Sequence, residues 1–238
     1  MKKTIYALAS FLLLTTTSHA TLANDQAIDI SANVGFVTEY SFRGITQSDE
    51  NPAIQGGFDV AHESGIYAGI WGSNVDFNDN SEASSEMDLY AGFASSINQF
   101  SYDLGLIYYA YPGAADSLNY DFWEIALSMG YDFESFSASA SVNYSPEYFG
   151  DSGDAVYYAA GVDVPLPAQF SLSGHVGHQT IDDNNSFGPD YTDWSLGLGY
   201  SFADFDFSLQ YVDTDLKEGV ECAGGCDARA IFGISRTF

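Results

Sequence analysis

The chain has 238 residues, of which 33 are Asp or Glu and only 6 are Lys or Arg, for a formal charge of −27. That balance excludes nucleic acid as a natural partner, because a phosphate backbone is held by a basic surface. An acidic surface attracts cations instead, divalent ones included.

Lys2 and Lys3 precede a short apolar run from Ile5 to Leu14, and Ser18-His19-Ala20 or Thr21-Leu22-Ala23 offers a small-residue cleavage site. This is the layout of a secretory signal peptide. An apolar run of about ten residues is too short for a bilayer that needs about twenty. Cleavage after Ala20 or Ala23 is expected, with 1–23 the leader and 24–238 one domain exported through the inner membrane. Loss of Lys2 and Lys3 takes the formal charge to −29 and leaves Arg43, Lys217, Arg229 and Arg236 as the only cations.

From residue 24 onward a two-residue period divides the chain into about twelve strands. The first runs from about Ala27 to Tyr40, with Ile28, Ile30, Val34 and Phe36 on one face and Asp29, Ser31 and Asn33 on the other. A long connection through Arg43 and Pro52 leads to Ile54, Phe58 and Val60. A tight turn at His62-Glu63-Ser64-Gly65 follows. The third strand carries large residues on both parities (Ile66 and Ile70, Tyr67 and Trp71), so its faces stay unassigned. Next come Met87, Leu89 and Phe93, then Tyr102, Leu104, Leu106 and Tyr108. The clearest alternation is Trp123, Ile125, Leu127, Met129, Tyr131 and Phe133, against Glu124, Ala126, Ser128, Gly130 and Asp132. Phe136 to Tyr144, Tyr158 to Val164, Phe170 to Val176, Trp194 to Phe202, Phe205 to Tyr211 and Ala228 to Phe238 repeat it.

A soluble sandwich alternates too. Here, however, short connections alternate with long ones, and aromatics collect at strand ends. Phe93, Phe100, Tyr131, Phe133, Phe136, Phe170, Phe202, Phe205 and Phe238 fall toward the short turns. Phe36, Tyr40, Tyr108, Trp123, Tyr144, Tyr158, Trp194 and Tyr211 fall toward the long loops. Aromatic girdles at two depths are what a membrane barrel requires. The expected fold is all-β: a transmembrane, antiparallel, up-and-down β-barrel in the bacterial outer membrane, with short periplasmic turns and long extracellular loops.

The ending, with Phe232, Gly233, Ile234 and terminal Phe238, resembles that of bacterial outer-membrane proteins. The resemblance implies that Gly233 and Phe238 belong to a signal read by the barrel-assembly machinery; Arg236 departs from its usual apolar residue. The stretch from Tyr40 through Phe42-Arg43-Gly44 to Phe58, followed by Gly69 to Phe77, resembles the proteobacterial TorF-like porin family. That resemblance implies a porin and carries no catalytic residues with it.

By parity the lumen receives Asp29, Asp59, Asp88, Asp103, Glu124, Asp163, Asp193 and Asp206, against Arg43 and Arg229. Rings of carboxylates favour cations in a pore. The inward rows are otherwise rich in Gly, Ala and Ser, which leaves room. The expectation is a narrow passive channel for small cationic or neutral solutes. The competing reading is a plugged barrel that acts through its acidic loops, as in adhesion. Arg43 either pairs with a lumen carboxylate such as Asp59 or holds an inward-folded loop as a constriction.

No enzyme, cofactor or metal centre is expected. Ser173 and His175 share a face, but both point to the lumen, which is no place for a lipid ester, so His175 reads as a solvated lumen histidine. His62 and His178 show no partner in the sequence. Asp76-Phe77-Asn78-Asp79-Asn80 begins like a calcium loop, yet Ser81 stands where glycine is wanted. That run and Asp182-Asp183-Asn184-Asn185 read as solvated loops, with weak divalent bridging to lipopolysaccharide phosphates a possibility to test. Cys222 and Cys226, in an exported chain, are expected to form a disulfide.

Overall fold

The computed structural model describes residues 27–79, 83–183 and 188–238. The expected leader, and parts of both Asp/Asn runs, lie outside these residues. Strand β1 (Ile28–Val37) is followed by two very short strands, β2 (Ser41–Phe42) and β3 (Ile45–Thr46). Then come β4 (Ala53–His62), β5 (Ile66–Asn74), β6 (Ser85–Ile97), β7 (Phe100–Ala110) and β8 (Phe122–Asp132). The chain continues through β9 (Ser137–Ser145), β10 (Ala155–Pro165), β11 (Phe170–Ile181), β12 (Tyr191–Phe202), β13 (Phe205–Thr214) and β14 (Arg229–Thr237). β2 and β3 pair only with each other; β1 pairs with β4, the rest follow in chain order and β14 returns to β1, so that twelve strands close one barrel. Closure removes the open edge that lipid would leave unsatisfied.

The strands of the wall run 9 to 13 residues, about what a tilted strand needs to cross a bilayer. Their apolar rows face outward, as Leu104, Leu106, Ile125, Leu196 and Leu209 do, all exposed. Exposure on this scale is untenable in water but matches a lipid solvent. The loop-side girdle is anchored to water by hydroxyls. Tyr108 donates to Asp121, Tyr144 to Asp154 and Tyr211 to Asp213, at 2.9, 3.1 and 2.9 Å. An amphipathic ring with its hydroxyl on a loop carboxylate marks the level where lipid ends.

One expectation needs correction and one open assignment is settled. Tyr40 is no part of the girdle: it is 1% exposed and lies inside the barrel, its hydroxyl donating to Glu86 at 3.0 Å. The first strand accordingly stops at Val37, and the chain turns inward after it. The ambiguous third strand is also resolved. In β5, Ile66 and Ile70 face lipid, while Tyr67 and Trp71 face inward. Tyr67 there donates to Asp103 at 2.8 Å, and Trp71 packs edge-on against Tyr40.

Candidate functional site

The segment after β1 folds into the lumen rather than over it. β2 and β3 form a hairpin whose two-residue turn is Arg43-Gly44, both at positive φ (48° and 80°). Such a turn matches the twist of its strands, and Gly suits its second position. Gly44 is also forced by space: a Cβ there would lie 2.5 Å from Thr214 Cγ2 and 2.8 Å from Asp193 Cβ.

The segment touches walls on opposite sides of the barrel. Tyr40 meets β5 and β6 through Trp71 and Glu86. Phe42 meets β7, its ring 5.9 Å from that of Tyr109. Arg43 donates to Glu124 of β8 and to Gln179 of β11, each at 2.7 Å, with its guanidinium 4.2 Å from the Tyr157 ring of β10. Arg229, the first residue of β14, donates to Glu39, to Ser41 Oγ and to the Gly44 carbonyl at 2.5, 3.2 and 3.0 Å. An element bonded to walls this far apart crosses the lumen. Tyr40, Tyr109, Phe122, Val212 and Ile231 pack with it into an apolar core inside the barrel.

Electrostatics fix the crossing. Arg43 and Glu124 are 6% and 1% exposed, and Glu124 also accepts from Tyr109 and Asn143 at 3.1 and 3.0 Å. Burial is the largest influence on Arg43 and disfavours its charge, but Glu124, Tyr148 and Tyr109 together outweigh it and hold the guanidinium well above its ordinary range. At Glu39 burial dominates and raises the carboxyl from its usual value, against the opposing pull of Arg229.

The other lumen acids are spread along the wall. Asp59 accepts from Tyr90 at 2.6 Å, so Arg43 reaches Glu124 and not Asp59. Glu124 sits level with the hairpin tip; Asp59 is tied up by its own tyrosine. Asp88 is buried beside Glu86 on the same inward row, and Asp103 is held by Tyr67. Asp206 accepts from Ser201 at 2.6 Å, and Asp29 lies at the short-turn mouth. Asp193 accepts from Tyr157 at 2.9 Å and lies 3.3 Å from His175 Nε2. His175 therefore belongs to a Tyr157–Asp193 network and not to a pair with Ser173. His62 and His178 find Ser64 and Thr192 at 2.8 and 3.1 Å.

Two cavities flank the hairpin. On the loop side one of about 400 Å³ is lined by Phe42, Gln47, Asp76, Phe77, Tyr111 and Tyr148 among others. On the other side one of about 260 Å³ is lined by Arg43, Ser128, Ser141, Asp163, His175 and Asp193 among others. Phe42 borders both.

Sequence reasoning missed Glu39, Glu86, Tyr157 and Gln179. Glu86 and Tyr157 share the inward parity of their strands, and Gln179 lies beyond the expected end of its strand, which runs on to Ile181; their importance depends on a hairpin that two-residue strands cannot announce. The disulfide loop is formed, Cys222 to Cys226, with Cys226 fully buried. Gly233 pairs with Val37 across the closing seam, and Phe238 exchanges two backbone hydrogen bonds with Ala32.

No curated protein matches the chain. Among solved structures, the KdgM porin in complex with disordered oligogalacturonate matches with a TM-score of 0.60 at 6% identity, over 87% of this chain and 99% of that one. The NanC porin matches with a TM-score of 0.58 at 11% identity, over 88% of this chain and 99% of that one. At such identities the likeness is one of fold, a porin-like barrel. The family model described as "Bacterial protein of unknown function (Gcw_chp)" matches residues 22–238, and the chain belongs to that family.

Proposed function

We propose that the protein is an outer-membrane channel, selective for cations, whose lumen is closed in this state by the β2–β3 hairpin. The observation that carries this reading is the hairpin itself, held across a carboxylate-lined lumen by Arg43 and Arg229. Both cations are spent on carboxylates, so the field on a passing ion is set by the remaining acids. Apolar outward rows and aromatic girdles support the membrane location, and the expected leader supports export. The stretch that resembles TorF-like porins, 40–58, is the stretch that builds the hairpin. The oligogalacturonate of the KdgM complex is a polyanion, which this acidic lumen opposes; that ligand is not carried over. Lipopolysaccharide and, during biogenesis, the barrel-assembly machinery are the expected partners.

The closed hairpin also favours a second reading, a barrel that never conducts and works through its loops. Planar-bilayer recordings under a salt gradient decide between them. The channel reading expects brief, cation-selective openings in the natural protein and long ones when residues 41–46 are replaced by a Gly-Gly link. Silence in both proteins, with the refolded barrel intact, establishes the second reading; anion selectivity overturns the first.

A further inference from the structure

The connection between β13 and β14 is tied to β3 of the hairpin, and the first residue of β14 to the rest of it. The Thr46 amide of β3 donates to the Gly225 carbonyl at 2.8 Å. On the other strand, Ser41 and the Gly44 carbonyl are held by Arg229, three residues beyond Cys226. Gly225 sits inside the Cys222–Cys226 ring, at φ 65°, pressed so closely on β3 that a Cβ would lie 2.2 Å from Thr46 Cγ2. The ring is itself fixed to the barrel, since Thr214 Oγ1 donates to the Cys226 carbonyl at 2.5 Å. A flexible glycine-rich loop holds such a contact only if its ends are constrained, and a crosslink supplies that constraint.

We propose that the Cys222–Cys226 disulfide is a latch on the lumen hairpin, and that its reduction loosens the hairpin by one contact and so eases its leaving the lumen. The proposal rests on the hairpin being the barrier of the channel. Cys226 is fully buried and Cys222 is not, so an external thiolate attacks Cys222. A mixed disulfide forms there, and Cys226 leaves as a thiolate that takes a proton. The reductant's second thiol then displaces Cys222, which is protonated in turn, giving two cysteine thiols and one oxidised dithiol. Two electrons pass from the dithiol to the protein. The Gly225 carbonyl then loses its fixed position, and Thr46 its acceptor.

Hydrogen exchange of the refolded barrel, with and without dithiothreitol, reads the latch directly. Reduction should speed exchange at 41–47 by about fivefold, the equivalent of one lost backbone hydrogen bond, with the wall strands unchanged. Unchanged exchange at 41–47, with both thiols shown free by alkylation, overturns the proposal. Should the folded protein resist reduction, the Cys222→Ser/Cys226→Ser variant carries the same test. Gly225→Ala should loosen the hairpin with the disulfide intact, whereas Gly224→Ala, with nothing within 4 Å of its added Cβ, should not. Bilayer recordings of the same samples separate the two readings. Faster exchange with longer openings supports both; faster exchange in a silent barrel keeps the latch and removes the channel.

Discussion

Arg43 occupies a left-handed backbone conformation, φ 48°, that costs a non-glycine residue about 1 kcal/mol or more. It also carries a charge into a site where 6% of its side chain is exposed. Both costs are offset because the planar guanidinium forks to Gln179 and Glu124 while its face lies on Phe42 and Tyr157. Removing it strands Glu124, a carboxylate 1% exposed, with only Tyr109 and Asn143 as donors. Arg43→Ala should therefore destabilise the hairpin by about 3–5 kcal/mol, as breaking one side of a buried pair does. Its conductance should rise, with urea unfolding in lipid reporting the stability term. Adding Glu124→Gln should recover part of that loss, because the stranded charge is then gone. Arg43→Lys should behave as a partial loss, since an ammonium cannot span both acceptors or stack on both rings. Equal stability of Arg43→Ala and its double mutant would show that the pair is not what fixes the hairpin.

At the scale of elements the weakest joint is the seam. β1 pairs with β4 from Ile28 to Val37, but with β14 only from Asn33 to Val37. Phe238 extends that short ladder by one reciprocal pair, its N–H to Ala32 O at 2.8 Å and the Ala32 N–H to Phe238 O at 3.2 Å. Deleting Phe238 should cost about 1–3 kcal/mol for two lost hydrogen bonds. It should also slow refolding into lipid, measured by the heat-modifiable gel shift. A truncated chain that refolds at the natural rate would place closure of the barrel elsewhere.

The walls of this barrel were legible because side-chain facing is a local property of a strand, and lipid on one side demands a visible alternation. β5 was illegible for a physical reason. Its inward row is large because each ring has a polar or aromatic partner across the lumen wall: Trp71 packs on Tyr40 of the inward segment, and Tyr67 reaches Asp103 of β7. The hairpin itself was illegible in outline: two-residue strands show no period. Its direction is decided by contacts such as Arg43 with Glu124, 81 residues away. The sequence did show Arg43 as a lone cation among acids, able to pair with a lumen carboxylate or to hold an inward-folded loop; it could not show which acid.

For the molecule as a whole the charge balance and the closed lumen have to be reconciled. With Arg43 on Glu124 and Arg229 on Glu39, the described lumen wall also carries Asp59, Asp103, Asp163, Asp193 and Asp206. Asp59, Asp103, Asp193 and Asp206 accept from Tyr90, Tyr67, Tyr157 and Ser201, which orient those carboxylates without neutralising them. Asp163 lines the inner cavity beside Ser139 and His175, half-buried, and takes no part in the hairpin's anchoring. It is therefore the carboxylate whose removal tests selectivity without disturbing the gate. An ion passing roughly 8 Å from one charge in water gains or loses about 0.5 kcal/mol. Screening over the ~10 Å Debye length of 0.1 M salt roughly halves that figure. Cation and anion shift in opposite directions, so their permeability ratio should fall by roughly twofold in Asp163→Asn, read as a reversal-potential shift toward zero under a salt gradient. The shift should shrink as salt rises to 1 M, where the Debye length is about 3 Å. A ratio unmoved at low salt would mean that ions do not pass this side of the hairpin, and that the acids of the lumen serve the barrel's packing rather than its selectivity.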